Sequence, residues 1–206
     1  MTDAVEIEAK LLIPDRTTLD QLLHCTSMAG FELAPPHALV VRDVYLDTAR
    51  RALLAGGLAC RRRVQEGRII ITVKSVSTAG DSIHRRRELE VVLPGDLPPA
   101  LWPASEARDT VIRLSGGAAL GELFRIRQER FARQAFDGGR VVALVSLDEV
   151  AVEGRSGESV WKEMEIELMP GGREKDLAAM TAWARTRFGL QPSLLSKFER
   201  ALREPA

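Results

Sequence analysis

Ionisable residues recur at every second position along several stretches of this sequence, and their signs are sorted. Glu6, Glu8 and Lys10 alternate with Val5, Ile7 and Leu11. The pattern returns at Arg61 and Arg63, at Thr72 and Lys74, and at Arg86, Glu88 and Glu90. It appears again at Arg125 and Arg127, and at Glu163, Glu165 and Glu167. Apolar residues such as Ile71, Val73, Leu89, Val91, Ile126, Met164, Ile166 and Leu168 hold the positions between. Carboxylates dominate the first and last stretches, and cations those in the middle. Arginine forks match phosphate oxygens bidentately and lysine adds a point charge. Clustered carboxylates suit Mg²⁺ or Mn²⁺, hard ions that also bridge phosphate groups. A metal held by Glu6, Glu8 and the C-terminal glutamates would neutralise a terminal phosphoryl group, and a second would position and deprotonate the attacking water.

Period-two alternation belongs to β-strands. Strands are expected near 5–11, 38–48, 58–66, 68–76, 83–93, 124–136, 140–150 and 158–169. Gln65-Glu66-Gly67-Arg68 and Asp137-Gly138-Gly139-Arg140 lie between paired runs and have the glycines that tight hairpins need. The expected fold is α+β: an eight-stranded antiparallel β-barrel with helices packed outside, wide enough for one small ligand. Asp15 is set to cap a helix carrying Leu19, Leu22 and Leu23 that stops near Gly30. Ser105 caps another, with Val111, Ile112 and Leu114, ending at Gly116-Gly117. A third spans 173–188 with Leu177, Met180, Ala184 and Phe188, and Ser193 starts a last one with Leu195, Phe198 and Leu202. If these helices cover the apolar faces of the strands, the charged faces must line a lumen. A half-solvated sheet gives the same alternation on any one strand. The segregation of sign across the set argues for the lumen, and bound counter-ions would offset the several kcal/mol per ion that burial of unpaired charge costs.

Composition bounds the rest. Lys+Arg and Asp+Glu both number 29 in 206 residues, so net charge points to no polyanionic macromolecule and any charge-based function needs spatial sorting. Cys25 and Cys60 stand far apart without metal-type spacing, which suggests a reducing cytoplasm. The N-terminus lacks the features of a signal peptide, and the longest apolar run, near Val141–Leu147, is too short for a membrane span. The expectation is a single cytoplasmic domain over 1–206 whose partner is a small phosphate-bearing polyanion, which the resemblance below narrows to a small-molecule triphosphate. Neither a membrane nor a sequence-specific nucleic acid is expected; a homodimer is compatible with this reading.

The motifs also resemble a known pattern in order and spacing. Glu6-Ile7-Glu8-Ala9-Lys10 resembles the ExExK signature of the CYTH, or triphosphate tunnel metalloenzyme, superfamily. Tyr45-Leu46-Asp47-Thr48, Cys60-Arg61-Arg62-Arg63, Thr72-Val73-Lys74 and Arg87-Glu88-Leu89-Glu90 follow. Then come Arg125-Ile126-Arg127, Leu147-Asp148-Glu149, Glu163-Met164-Glu165-Ile166-Glu167 and a Ser196-Lys197-Phe198-Glu199-Arg200 ending similar to bacterial inorganic triphosphatases. The resemblance implies an eight-stranded tunnel and Mg²⁺- or Mn²⁺-assisted triphosphate hydrolysis, with inorganic tripolyphosphate favoured as substrate. Thiamine-, nucleoside- or RNA-triphosphate hydrolysis, or polyphosphate binding without catalysis, are the alternatives, and adenylate cyclisation is least favoured. It implies metal ligands at Glu6, Glu8, Glu165 and Glu167, with Glu88 and Glu90 as partners. It implies a phosphate cradle of Arg61, Arg63, Lys74, Arg125 and Arg127, joined by Arg86 in the same charged face, and a catalytic Lys10–Tyr45 pair beside Glu6 and Glu8. Asp148 reads equally as an orienting or metal-site carboxylate and as a turn residue. Lys197 reads as a substrate-binding lysine reaching one tunnel mouth or as a solvated one, and Glu163 as an exposed strand start. Trp161 is the tryptophan placed to stack on an organic group, or else to pack.

Overall fold

The alternating stretches become strands because their apolar sides find helices to cover them. The computed structural model describes residues 4–76, 83–153 and 160–203. In chain order the first elements are β1 (Ala4–Ile13), α1 (Arg16–His24), β2 (Ser27–Met28), β3 (Phe31–Leu33) and β4 (His37–Asp47). Next come α2 (Ala52–Ala55), β5 (Leu58–Gln65), β6 (Arg68–Ser75), β7 (Ile83–Leu93), α3 (Glu106–Ser115) and β8 (Gly121–Asp137). The chain ends with β9 (Arg140–Glu153), β10 (Val160–Leu168), α4 (Glu174–Phe188), β11 (Gln191–Pro192) and α5 (Lys197–Arg203).

Eight long strands pair in the order β8-β4-β5-β6-β7-β1-β10-β9, all antiparallel, and β9 pairs back onto β8 from Arg125 to Asp137. The pairing therefore runs round a tunnel. Two hairpins arise where expected. Glu66 and Gly67 both have positive φ (51° and 73°), as do Gly138 and Gly139 (55° and 84°), which suits the two-residue turns whose twist matches that of the strands.

Two apolar layers clad the wall. Leu11, Val145, Leu147, Met164 and Ile166 face out from β1, β9 and β10 and pack with Leu19 and Leu22 of α1 and Leu177, Met180 and Ala184 of α4. On the opposite side Cys60, Ile71, Val73 and Val91 meet Leu53 of α2 and Val111 of α3. Both cysteines are free thiols. Among the described residues no helix is long and apolar enough to cross a membrane.

The helix starts follow their capping residues. Asp15 accepts from the Thr18 amide at 2.7 Å, and Ser105 from the Arg108 amide at 3.2 Å. Two boundaries differ from expectation. α1 ends at His24 rather than near Gly30, because Ser27–Leu33 forms the β2–β3 hairpin that extends the sheet beside β8. The last helix begins at Lys197, not Ser193. There Ser196 Oγ accepts from the Glu199 amide at 3.2 Å while Glu199 accepts from the Ser196 amide at 2.8 Å, a reciprocal cap.

Candidate active site

The wall encloses a cavity of about 950 Å³. Glu6, Glu8 and Lys10 line it from β1, Tyr45 from β4, and Arg61 and Arg63 from β5. Lys74 reaches it from β6, Glu88 and Glu90 from β7, Glu165 and Glu167 from β10, and Lys197 from α5. The charged face expected from these stretches is the inner face.

One end is sealed. Phe198 and Ala201 of α5 pack with Tyr45, Phe124, Ile126, Val150 and Val152 inside the strand ring. Tyr45 stacks at 5.0 Å from Phe124 and 5.2 Å from Phe198, centroid to centroid. Burial raises its phenol pKa, so Tyr45 keeps its proton.

Beneath this seal lies a dense ion network. Carboxylate oxygens of Asp148, Glu163 and Glu165 lie within 4.8 Å of one another, spacing that would suit a metal ion. Lys197 Nζ sits among them, at 2.9 Å from Asp148, 2.5 Å from Glu163 and 2.8 Å from Glu165. A tethered ammonium thus fills the place of a cation. Arg130 forks onto Asp148 at 2.6 and 2.8 Å and reaches Glu165 at 2.7 Å, while Lys10 reaches Glu165 at 2.8 Å and Glu8 at 3.1 Å. Burial opposes ionisation of Glu165, yet Lys10, Lys197 and Arg130 hold its pKa well below the usual carboxylate range.

The middle of the cavity is balanced differently. Lys74 bridges Glu6 at 2.9 Å and Glu88 at 3.0 Å. Glu167, paired in register with Glu8, has its pKa pushed up to about 7 by burial and by the charges of Glu6, Glu8 and Glu88, with Lys74 opposing. A proton does there what a cation would do, and the oxygen-rich donor set suits a hard divalent ion. On the facing wall Arg61 Nη2 donates to Thr72 at 3.1 Å, and Thr72 in turn donates to the exposed Glu90 at 3.0 Å. Towards the open end the lining turns apolar on one side, with Leu39, Ala132, Leu144, Met169 and Pro170.

Three expectations need correction. Arg125 and Arg127 do not enter the lumen. Their side chains are 56% and 40% exposed, and they pair with Glu122 and Glu129 on the outer surface. The inward positions of β8 are instead Phe124, Ile126, Gln128, Arg130 and Ala132, because the sealed end needs apolar side chains on that parity. Asp148 lies in mid-strand, wholly buried against Arg130 and Lys197, so it is not a turn residue. Glu163 is likewise fully buried. Arg86 stands opposite Glu6 in the β1–β7 pairing, but its side chain lies outside the described residues. Trp161 packs at the sealed end, donating to Glu163 at 2.8 Å with the Arg200 guanidinium over its ring.

Sequence reasoning missed Arg130, Gln128 and Asp43. Arg130 is directly opposite Asp148 in the β8–β9 register, a cross-strand charge pair that register alone would have revealed. Asp47, part of the Tyr45–Thr48 motif, accepts from the amides of Thr48, Leu53 and Leu54 at 2.7–3.0 Å and so fixes α2 against β4.

A family model for the CYTH domain matches residues 4–202, and the chain belongs to that family. Its fold is shared with HpAC1 of Hippeastrum at 20% identity and a TM-score of 0.74, covering 97% of each chain. An adenylate cyclase candidate from Bacillus halodurans is similar at 21% identity and TM-score 0.65, over 97% of this chain and 98% of that one. A Pyrococcus horikoshii protein matches at 18% identity and TM-score 0.57, over 96% and 99%. No protein of curated function matches the chain in sequence.

Proposed function

We propose that this chain hydrolyses triphosphates inside the tunnel, with inorganic tripolyphosphate as the minimal substrate. The observation that carries the reading is the division of one cavity wall into under-compensated carboxylates and a basic cradle. Glu6, Glu88 and Glu167 share Lys74 between them, Glu8 leans on Lys10, and Arg61 and Arg63 line the other wall, Arg61 lying 3.9 Å from Glu88. HpAC1 is described as having a dominant triphosphatase activity, which agrees with this reading.

In the proposed reaction Arg61, Arg63 and Lys74 bind the phosphate chain, and Lys10 and Arg130 fix the carboxylates beside it. The α5 seal keeps bulk water from that end, so ion pairs inside act at low dielectric. Water adds to the terminal phosphorus, the bridging P–O bond breaks, and orthophosphate and pyrophosphate leave. Glu6, Glu8, Glu88 and Glu167 would hold Mg²⁺ or Mn²⁺, which supplies neutralisation of phosphate oxygens and acidifies water.

The apolar arc at the open end favours a second reading, an organic triphosphate whose non-phosphate part rests on Leu39, Leu144 and Met169. A cavity of about 950 Å³ is at the upper end of the range that takes drug-sized ligands, about 300–1,000 Å³. Phosphate release from tripolyphosphate, ATP and thiamine triphosphate, each with and without Mg²⁺ or Mn²⁺, tests both. Metal-dependent release from tripolyphosphate supports the first reading and a large preference for an organic substrate the second. Binding without release from any of them would refute catalysis.

A further inference from the structure

Asp43 lies on the inner face of β4 beside the basic wall and is 1% exposed. It does not line the cavity, yet it sits opposite Arg63 in the β4–β5 register and on the same strand face as Tyr45. Its two oxygens accept from Arg63 Nε at 2.7 Å and Nη2 at 2.8 Å, a bidentate fork. Arg61 Nη1 lies 3.9 Å from the same carboxylate. From the far side Gln128 Nε2 donates at 2.6 Å, although this leaves its buried Oε1 without a hydrogen-bond partner among the described residues. Burial works against a charged Asp43, but Arg61, Arg63 and Arg130 keep its pKa below the ordinary value.

We infer that Asp43 is a positioning residue: it locks the guanidinium of Arg63 in one plane and orientation, so that Nη1, the end not used by the fork, meets the triphosphate ready-aligned. The inference rests on the proposed triphosphatase reading and deepens it. An arginine on a flexible stem loses rotamer freedom when it binds phosphate; one already held by a buried carboxylate does not. Asp43 also removes one positive charge from the basic wall. The wall then attracts polyanions less strongly overall but recognises their geometry better, trading raw attraction for selectivity.

The test is a double-mutant cycle on the full chain, Asp43→Asn and Arg63→Ala singly and together, with tripolyphosphate and divalent metal. Asp43→Asn should lower kcat about tenfold or more, about 1.4 kcal/mol, while KM stays unchanged or falls because the wall has become more positive. In the Arg63→Ala background the same substitution should change kcat/KM by less than about twofold, since Asp43 acts through Arg63. A purely structural role would instead lower the melting temperature and leave the kcat-to-KM balance alone. If Asp43→Asn fails to fold because Arg63 is left without its partner, the double variant removes both charges and is compared with Arg63→Ala alone. Wild-type kcat and KM in Asp43→Asn, or equal losses in both backgrounds, would overturn the inference. Should the wild-type chain release no phosphate, the catalytic reading falls separately. The same cycle is then read by calorimetric binding, where preference for tripolyphosphate over orthophosphate should weaken on Asp43→Asn only when Arg63 is present. An Asp43→Asn variant that keeps the full preference would overturn the inference in that case.

Discussion

The sealed end and the middle of the tunnel contain the same residue types but solve burial in opposite ways. At the sealed end Lys10, Lys197 and Arg130 face Asp148, Glu163 and Glu165, three cations among three carboxylates, and every carboxylate has an ion-pair partner within about 3 Å. In the middle Glu6, Glu88 and Glu167 lean on Lys74, and Glu167 has a pKa near 7. Charge that is satisfied within the chain builds and closes the barrel. Charge left over is where a ligand has something to gain, and that difference, rather than the count of acidic residues, separates the two regions.

Removing the internal cation should give the largest effect. Lys197→Met leaves three buried carboxylates short of a counter-ion, and breaking such a pair costs about 3–5 kcal/mol. For a chain of this length that is a melting decrease of roughly 6–20 °C, from about 2–4 °C per kcal/mol. Lowering the pH should recover part of it as the carboxylates protonate. A variant that melts within a degree or two of wild type would erase the distinction between the two ends.

Glu6→Gln and Glu167→Gln probe the other region. Each should lower turnover by about 100-fold or more through loss of metal-ligand charge, worth several kcal/mol, while leaving the metal-free protein as stable or more stable. The pH dependence has a definite sign. Glu167 has a folded-state pKa raised from 4.5 to about 7, so the folded chain holds a proton more firmly than the unfolded chain. That contribution to stability is complete below about pH 4.5 and is lost as pH rises through 7. Thermal melts of the metal-free protein should therefore weaken across that window, and Glu167→Gln should flatten the slope. Mg²⁺ should stabilise wild type more at pH 8 than at pH 6; the reverse order would contradict the assignment of this cluster.

The smallest expected difference is between two arginines of similar sequence setting. Arg61→Ala should weaken tripolyphosphate binding by about 1.5–3 kcal/mol, the range for hydrogen bonds to charged groups. Arg127→Ala should fall within about 0.5 kcal/mol, as exposed substitutions do. Calorimetry on both variants separates inner from outer face, and equal losses would break it.

Alternation made the strands, the hairpins at Gly67 and Gly138–Gly139 and most lumen residues legible, because a period of two is a local property of the chain. It could not say which parity faces in. On β5 the charged parity is inside, whereas on β8 the apolar parity is, since Phe124 and Ile126 must meet Phe198 from the far end of the chain. A shift of one residue turns every side chain over, so Arg125 and Arg127 looked like Arg61 and Arg63. Lys197 illustrates a different limit. Only tertiary packing shows that three carboxylates surround it, and Asp43 becomes significant only when Arg63 and Gln128, from two other strands, arrive beside it.

The join between β1 and β10 links residues as far apart as Lys10 and Glu165, 155 positions along the chain. Until β10 emerges from the ribosome, β1 has β7 on one side and an open backbone edge on the other. Bare strand edges invite pairing with other molecules, and inward-pointing charges discourage it. Glu6, Glu8 and Lys10 therefore serve the nascent chain before there is any tunnel for them to line, keeping a half-built wall soluble while it waits for its last stave. Replacing all three with uncharged residues should lower refolding yield as protein concentration rises, with light scattering as the measure; a yield independent of concentration would show that the edge needs no such guard.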